Sequence, residues 1–290
     1  EVGEEIIASG TADIVSMARP MLADPEFITK AMENRANEIN TCIGCNQACL
    51  DHVFSGGEVS CLVNPFACNE TRLIQIPATT VKKLAVVGAG PAGMAFATSA
   101  AERGHNVTLF DASNEIGGQF NIAKQIPGKE EFSETIRYFD SQIKKHGVSL
   151  KLNKRVDAET LIDHGFDEIV LATGIAPRKL ELEGFDHEKV LSYIDVLKNR
   201  KPVGKKVAII GAGGIGFDVA EFLIHDDPDH AQTAEEFLDE WGVDVSVKNS
   251  GGLKEANFSA PAREVYLLQR KTSKVGSKLA KTTGWIRRTL

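Results

Sequence analysis

Four cysteines lie within one short stretch of the chain, at Cys42, Cys45, Cys49 and Cys61. Cysteine thiolates at such spacings bind metal, and both iron–sulfur clusters and structural zinc sites take four of them. A zinc ribbon usually has two Cys-x2-Cys pairs, whereas here one pair is followed by a third cysteine after three residues and by a distant fourth. The spacing therefore favours a [4Fe–4S] cluster, with zinc as the alternative.

Two other residues of this region could compete as ligands. Cys68 is expected to be a free thiol, buried or half-buried, and the alternative is that it replaces Cys61. His52 is expected to be a solvated loop histidine, because ligation of the Rieske type needs two histidines in place of two cysteines.

Two glycine-rich segments, residues 88–93 (GAGPAG) and 211–216 (GAGGIG), each follow an apolar run. In a dinucleotide-binding loop the first glycine permits a tight turn, the second lets the backbone approach the pyrophosphate, and the third packs the helix on the strand. The pyrophosphate then lies at a helix N-terminus. The predicted contacts are Gly88, Gly90, Ala92 and Gly93 in the first loop and Gly211, Gly213 and Gly216 in the second.

The residues that end the next strands indicate which cofactor each loop binds. Asp111 can accept hydrogen bonds from ribose hydroxyls, although a surface turn residue is the alternative. Arg270 and Lys271 follow the corresponding strand of the second loop. These cations favour a 2′-phosphate, so we predict NADPH over NADH, with an exposed basic turn as the alternative.

Two further segments resemble the ones that line FAD in flavoproteins with two dinucleotide sites. They are residues 115–119 (EIGGQ) and 171–174 (LATG). The resemblance implies that the first loop binds FAD, with contacts from Gly117, Gly118, Gln119, Ala172, Thr173 and Gly174.

The periodicity around these motifs predicts an α/β fold with two Rossmann-like domains. Strands are expected at residues 12–17, 83–87, 107–110, 148–152, 168–171, 206–210 and 264–268. Helices are expected at 92–103, at 131–146, after the second loop to about 225, and near 234–241 within an insertion. Residues 84–101 carry no charge. Their central glycines and proline indicate a strand, a turn and a buried helix rather than a membrane span.

Bulk properties narrow the class of protein. The chain has 290 residues and a net charge of −7, which disfavours nucleic acid and anionic membranes as partners. The acidic opening residues do not form a signal peptide. We therefore expect reduced thiols and a cytoplasmic location.

Residues 41–51, 61–65 and 281–286 together resemble the bacterial NADPH-dependent 2,4-dienoyl-CoA reductase family of old-yellow-enzyme-related iron–sulfur flavoproteins. The related amine dehydrogenases place the third cysteine two residues on and lack an NADPH site. The resemblance implies that residues 1–40 are the last unit of an FMN-binding TIM barrel, with Ala18 and Arg19 at the FMN phosphate. It divides the rest into a cluster segment (41–75), an FAD domain (76–190) and an NADPH domain (191–290).

The resemblance further implies electron transfer from NADPH through FAD and a [4Fe–4S] cluster to FMN. The family reduces 2,4-dienoyl-CoA, an acyl-CoA substrate, in the β-oxidation of unsaturated fatty acids. No catalytic acid can be assigned, and the natural protein is expected to extend beyond both ends of this chain. The alternatives are a related NADPH-dependent enone or enoate reductase and a zinc-stabilised nucleotide-binding module.

Overall fold

The computed structural model describes residues 2–178, 181–228, 232–277 and residue 279. These residues form two compact units. The first comprises residues 2–124 and 129–178, and the second comprises residues 125–128 together with the described residues from 181 onward. The described part of the first unit ends at residue 178, and the FAD-domain boundary at residue 190 stays a prediction.

The N-terminal part of the first unit consists of short helices. They are α1 (Val2–Ala8), α2 (Arg19–Ala23), α3 (Phe27–Met32) and α4 (His52–Ser55), with a 3-10 turn at Ala36–Glu38 and a π-helical turn at Gln47–Asp51. The strand predicted at residues 12–17 is wrong. No strand forms there, and the Ile14 side chain is 83% exposed. A parallel strand needs a neighbour to pair its backbone groups, and no described strand lies beside this segment.

The rest of the first unit is a parallel sheet with helices. In chain order its elements are β1 (Lys83–Val87), α5 (Pro91–Glu102), β2 (Asn106–Phe110), α6 (Phe120–Ala123), α7 (Phe132–Lys145), β3 (Ser149–Lys151), α8 (Ala158–Asp163) and β4 (Glu168–Leu171). The strand order is β3-β2-β1-β4, and β1 pairs in parallel with both β2 and β4. Leu84, Ala85 and Val86 are almost fully buried, as expected for a central strand covered on both faces.

The second unit repeats the strand–turn–helix order. Its elements are α9 (Tyr193–Leu197), β5 (Lys206–Ile210), α10 (Gly214–Ile224), α11 (Ala234–Glu240), a 3-10 turn at Ser250–Gly252, and β6 (Glu264–Leu268). Strand β5 pairs in parallel with β6. The predicted α/β class and its parallel strands are therefore confirmed. None of the helices in the described part of the chain is long and apolar enough to cross a membrane.

A buried ion pair organises the segment that precedes the cysteines. The Asp24 carboxylate accepts hydrogen bonds from the Lys30 ammonium at 2.7 Å and from the Asn40 backbone N–H at 2.8 Å. Asp24 is 3% exposed and the Lys30 side chain is 11% exposed. The Asn40 amide group also donates to the Val63 carbonyl at 2.6 Å. Asn40 therefore connects the ion pair, which lies before Cys42, to the segment after Cys61.

Replacing Asp24 by alanine is expected to destabilise the protein by about 3 kcal/mol, because the Lys30 ammonium would remain buried without its counter-ion. Urea denaturation at equilibrium measures this change. Glu26→Ala is the matched control: Glu26 also contacts Lys30, at 3.8 Å, but its side chain is 66% exposed. The control should cost less than about 1 kcal/mol, and equal losses in the two variants would contradict the prediction.

Candidate functional site: two dinucleotide loops and a cysteine pocket

The first glycine loop joins β1 to α5 through a turn that admits no side chain. Gly88 has φ +109°, and a Cβ there would lie 2.3 Å from the Ala172 carbonyl oxygen. A Cβ on Gly93 would lie 1.8 Å from the Gly88 carbonyl oxygen. Gly90 caps α5, and open space surrounds the position of its missing Cβ. Gly88 and Gly93 are therefore closely packed against neighbouring backbone. The backbone at Gly90 stays accessible at the N-terminus of α5, and phosphate binds at such helix N-termini.

The other two segments predicted to line FAD meet this loop. The Gly117 N–H donates to the Ala89 carbonyl at 2.8 Å, and a Cβ on Gly118 would lie 3.0 Å from the Gly90 Cα. On the other side the Ala172 N–H donates to the Val87 carbonyl at 2.8 Å. Thr173 and Gly174 continue from Ala172, and the Gln119 side chain donates to the Ile175 carbonyl. All three segments thus meet at the carboxyl ends of β1 and β4, where doubly wound sheets bind ligands.

Asp111 has a role in the loop that its sequence position does not reveal. One carboxylate oxygen accepts the Ala89 N–H at 2.6 Å, and the other accepts the Ser113 N–H at 2.7 Å. The side chain is thus anchored to the phosphate loop itself. Each oxygen keeps a second lone pair that can accept a further hydrogen bond, so the ribose contact by Asp111 stays a prediction.

The second loop reproduces the geometry of the first. Gly211 has φ +124° and its N–H donates to the Leu268 carbonyl at 2.9 Å, while Gly213 caps α10. A Cβ on Gly216 would lie 1.9 Å from the Gly211 carbonyl oxygen. The same close approach of helix to strand therefore occurs in both units.

Arg270 and Lys271 are exposed just beyond β6, the strand that pairs with the one leading into the second loop. The Gln269 side chain donates to the Lys271 carbonyl at 2.9 Å and to the Ser273 carbonyl, which closes a turn here. Among the described residues, the Arg270 guanidinium has neither a hydrogen bond nor an ion pair. It is therefore available to a ligand. The predicted family segment at residues 281–286 lies outside the described residues.

All four predicted cysteine ligands line a single pocket, together with Arg19, Asn46 and apolar side chains that include Leu22, Ile43 and Val63. Gly44 and Asn46 have φ values of +62° and +56°, which fold the loop back on itself. The π-helical turn then carries Cys49 to the same pocket. Within the described part of the chain, no group of three or more His, Cys, Asp or Glu side chains is arranged to hold a metal ion.

The surroundings of the sulfurs raise the pKa of two thiols. Burial raises the pKa of Cys45, a backbone hydrogen bond from Gln47 lowers it, and the nearby sulfurs of the other three cysteines raise it further. Burial also raises the pKa of Cys61, while backbone hydrogen bonds from Val63 and Asn64 lower it. The pocket therefore offers N–H donors to sulfur and an apolar wall.

Cys68 and His52 are not among the residues that line the cysteine pocket. Cys68 is exposed, so the expected burial of its thiol is wrong; its positive φ of +62° and a bond from its N–H to Glu70 hold it in a surface turn. His52 is exposed, and its ring shares a hydrogen bond with the Glu58 carbonyl. Arg19, with Ala18 a predicted FMN contact, donates to the Asn46 side chain at 2.5 Å. Asn46 carries no signal in the sequence beyond its place between Cys45 and Cys49.

Comparison with known proteins identifies the family of the glycine-loop region. Residues 82–270 match the family model described as pyridine nucleotide-disulphide oxidoreductase. A metal reductase of Desulforamulus reducens is 37% identical over 227 residues, covering 77% of this chain and 34% of the relative. A cinnamate reductase of Clostridium sporogenes is 38% identical over 224 residues, covering 77% of this chain and 33% of the relative.

Among solved structures, a 2-naphthoyl-CoA reductase in complex with 2-naphthoyl-CoA superimposes with a TM-score of 0.75 at 40% identity. It covers 77% of this chain and 34% of that protein. This chain therefore spans about a third of the length of the relatives that it matches.

The two glycines of the first loop should respond differently to alanine. Gly93→Ala is expected to destabilise the protein by about 2 kcal/mol or more, because its Cβ would overlap a backbone oxygen that cannot turn away. Gly90→Ala should cost less than about 1 kcal/mol, since its Cβ enters open space, yet it should weaken FAD binding by obstructing the pyrophosphate. Urea denaturation and FAD titration measure the two effects. Equal stability of the two variants would refute the packing role of Gly93.

Proposed function

We propose a function from one established premise: the chain belongs to the pyridine nucleotide-disulphide oxidoreductase family. Members of this family are oxidoreductases that use FAD and a nicotinamide nucleotide. We propose that residues 88–93, 117–119 and 172–174 bind FAD, and that residues 211–216 bind the nicotinamide nucleotide. The convergence of two separate segments, residues 117–119 and 172–174, on the first loop is what supports FAD there.

We further propose that Cys42, Cys45, Cys49 and Cys61 hold a [4Fe–4S] cluster. Zinc binds sulfur at about 2.3 Å and draws four cysteines around one ion. All four cysteines line a common pocket, and their spacing, one Cys-x2-Cys pair followed by a third cysteine and a distant fourth, favours the larger cluster over zinc. The backbone N–H groups of Gln47, Val63 and Asn64 would stabilise cluster thiolates, since hydrogen bonds to sulfur tune such clusters.

When bound, these groups would supply hydride transfer from NADPH to FAD and onward transfer of electrons, through the cluster, to an FMN. The chain's own residues have other tasks. Asp111 and the glycines shape the FAD loop, and the apolar side chains of the cysteine pocket lie beside the sulfurs. Ala18 and Arg19 are proposed to contact the FMN phosphate. Protein groups position and tune carriers, whereas the carriers perform the redox chemistry.

The substrate proposal rests on resemblance. The first candidate is reduction of 2,4-dienoyl-CoA, and the structural similarity to a protein solved with 2-naphthoyl-CoA favours an acyl-CoA thioester. The second candidate is an enone or enoate reductase, which the similarity to a cinnamate reductase favours. Assay of the complete protein with dienoyl-CoA against cinnamate-type acids distinguishes them.

The cluster proposal is tested by metal analysis of protein purified without oxygen. We expect about four iron atoms and four sulfides per chain, with broad absorbance beside the flavin bands. Cys49→Ser should lose most of the iron, while Cys68→Ser, which alters an exposed cysteine outside the pocket, should keep it. A colourless protein with zinc in place of iron would instead establish the zinc-stabilised nucleotide-binding module.

The preference for NADPH is tested at Arg270. Arg270→Ala should raise the KM for NADPH about tenfold or more and leave the KM for NADH nearly unchanged, because a charged hydrogen bond to the 2′-phosphate is lost. Steady-state reduction of an artificial acceptor measures both constants. Lys206→Ala, at the other end of the same pair of strands, is the control and should alter neither. Equal effects of Arg270→Ala on both nucleotides would refute the phosphate contact.

A further inference from the structure

The side chain of Arg137 connects helix α7 to the segment that leads into the cysteine motif. Its guanidinium donates to the Ala36, Asn37 and Ile39 carbonyls at 3.2, 2.8 and 2.8 Å. It also donates to the Thr41 hydroxyl at 3.1 Å, while its Nε is paired with Glu134. One half-buried side chain thus binds four acceptors within residues 36–41, the segment that ends immediately before Cys42.

Other residues of helix α7 pack against the part of the protein that is proposed to bind FAD. Ile143 belongs to the core beneath β1 and β2, and Ile136 and Phe139 pack against that core. The Ile136 Cδ1 would lie 2.8 Å from a Cβ on Gly117, so this side chain touches the turn over the FAD phosphate loop. Consecutive residues of α7, Ile136 and Arg137, therefore contact the FAD-binding turn and the cysteine segment respectively.

Two other contacts anchor the same segment. Lys145, in the last turn of α7, pairs with Glu38 at 2.6 Å, and Asp24 accepts the Asn40 N–H from the opposite side. Asn40 in turn donates to the Val63 carbonyl, two residues beyond Cys61. The first and last cysteines of the motif are therefore both connected to the segment that Arg137 binds.

We propose that Arg137 is a positioning residue that sets the separation between the FAD site and the cysteine pocket. The proposal rests on the proposed function, because electron transfer between two carriers falls steeply with their separation. An arginine suits this task better than a lysine, since its planar fork engages several acceptors in fixed directions. Lysine would keep the charge but only one compact donor group.

The experiment compares Arg137→Ala, Arg137→Lys and the control Lys144→Ala in protein purified without oxygen. Lys144 lies on the same helix, but it is 71% exposed and its pairing is with Asp140 one turn away. Rapid mixing with NADPH follows the flavin and cluster absorbances separately. In Arg137→Ala, the rate of flavin reduction should stay within about twofold of wild type, while cluster reduction should slow about ten- to hundredfold. Small misplacements slow steps that depend on geometry by such factors. The rate of cluster reduction in Arg137→Lys should lie between those of Arg137→Ala and wild type. Both rates in Lys144→Ala should match wild type.

Amide hydrogen exchange provides the second readout. In Arg137→Ala, residues 36–49 should exchange faster while β1 and β2 remain protected, which separates a loosened segment from global unfolding. Loss of iron with FAD retained and the sheet still protected would equally support the proposal. Unchanged cluster reduction with unchanged exchange would overturn it, as would equal slowing of flavin and cluster reduction.

Failure of the proposed function is distinguishable from failure of this inference. Wild-type protein without iron or sulfide would remove the cluster but leave the exchange measurement valid. In that case, unchanged exchange at residues 36–49 in Arg137→Ala would overturn the positioning role as well.

Discussion

The fold of both units depends on one close contact between a helix and the strand before it. The carbonyl oxygen of the first loop glycine lies where a Cβ of the third would be, 1.8 Å away for Gly88 and Gly93 and 1.9 Å for Gly211 and Gly216. Only glycine permits this approach. Because the helix starts so near the strand end, its first N–H groups face the crevice in which a dinucleotide's phosphates bind. The absence of a Cβ on the third glycine of each loop therefore permits both the packing of the helix on the strand and the binding of phosphate at the helix N-terminus.

Sequence patterns predicted the strands of the two Rossmann-like units with little error. Lys83–Val87, Glu168–Leu171, Lys206–Ile210 and Glu264–Leu268 begin and end where expected, because each is an apolar run that begins at a charged residue. The segment at residues 12–17 has an equally apolar pattern but forms no strand. Composition shows that a segment can be buried, whereas pairing requires a neighbour that local sequence does not encode.

The parts of the candidate site that could be predicted are those whose functional residues lie close together in the sequence at characteristic spacings. The cysteine motif and the glycine loops are of this kind. The anchoring of Asp111 to the Ala89 N–H and the contacts of Arg137 are not, because they join segments 22 to about 100 residues apart. In the sequence Arg137 is one basic residue of an amphipathic helix. Its importance appears only when the acceptors opposite it are known.

Three of the five acceptors of the Arg137 side chain are main-chain carbonyls, at Ala36, Asn37 and Ile39. A carbonyl is present whatever side chain evolution selects at those positions. The identities of residues 36, 37 and 39 can therefore drift independently of the arginine, and statistical covariation between homologues would be silent about these three contacts. Detecting such coupling in related enzymes requires coordinates rather than alignments.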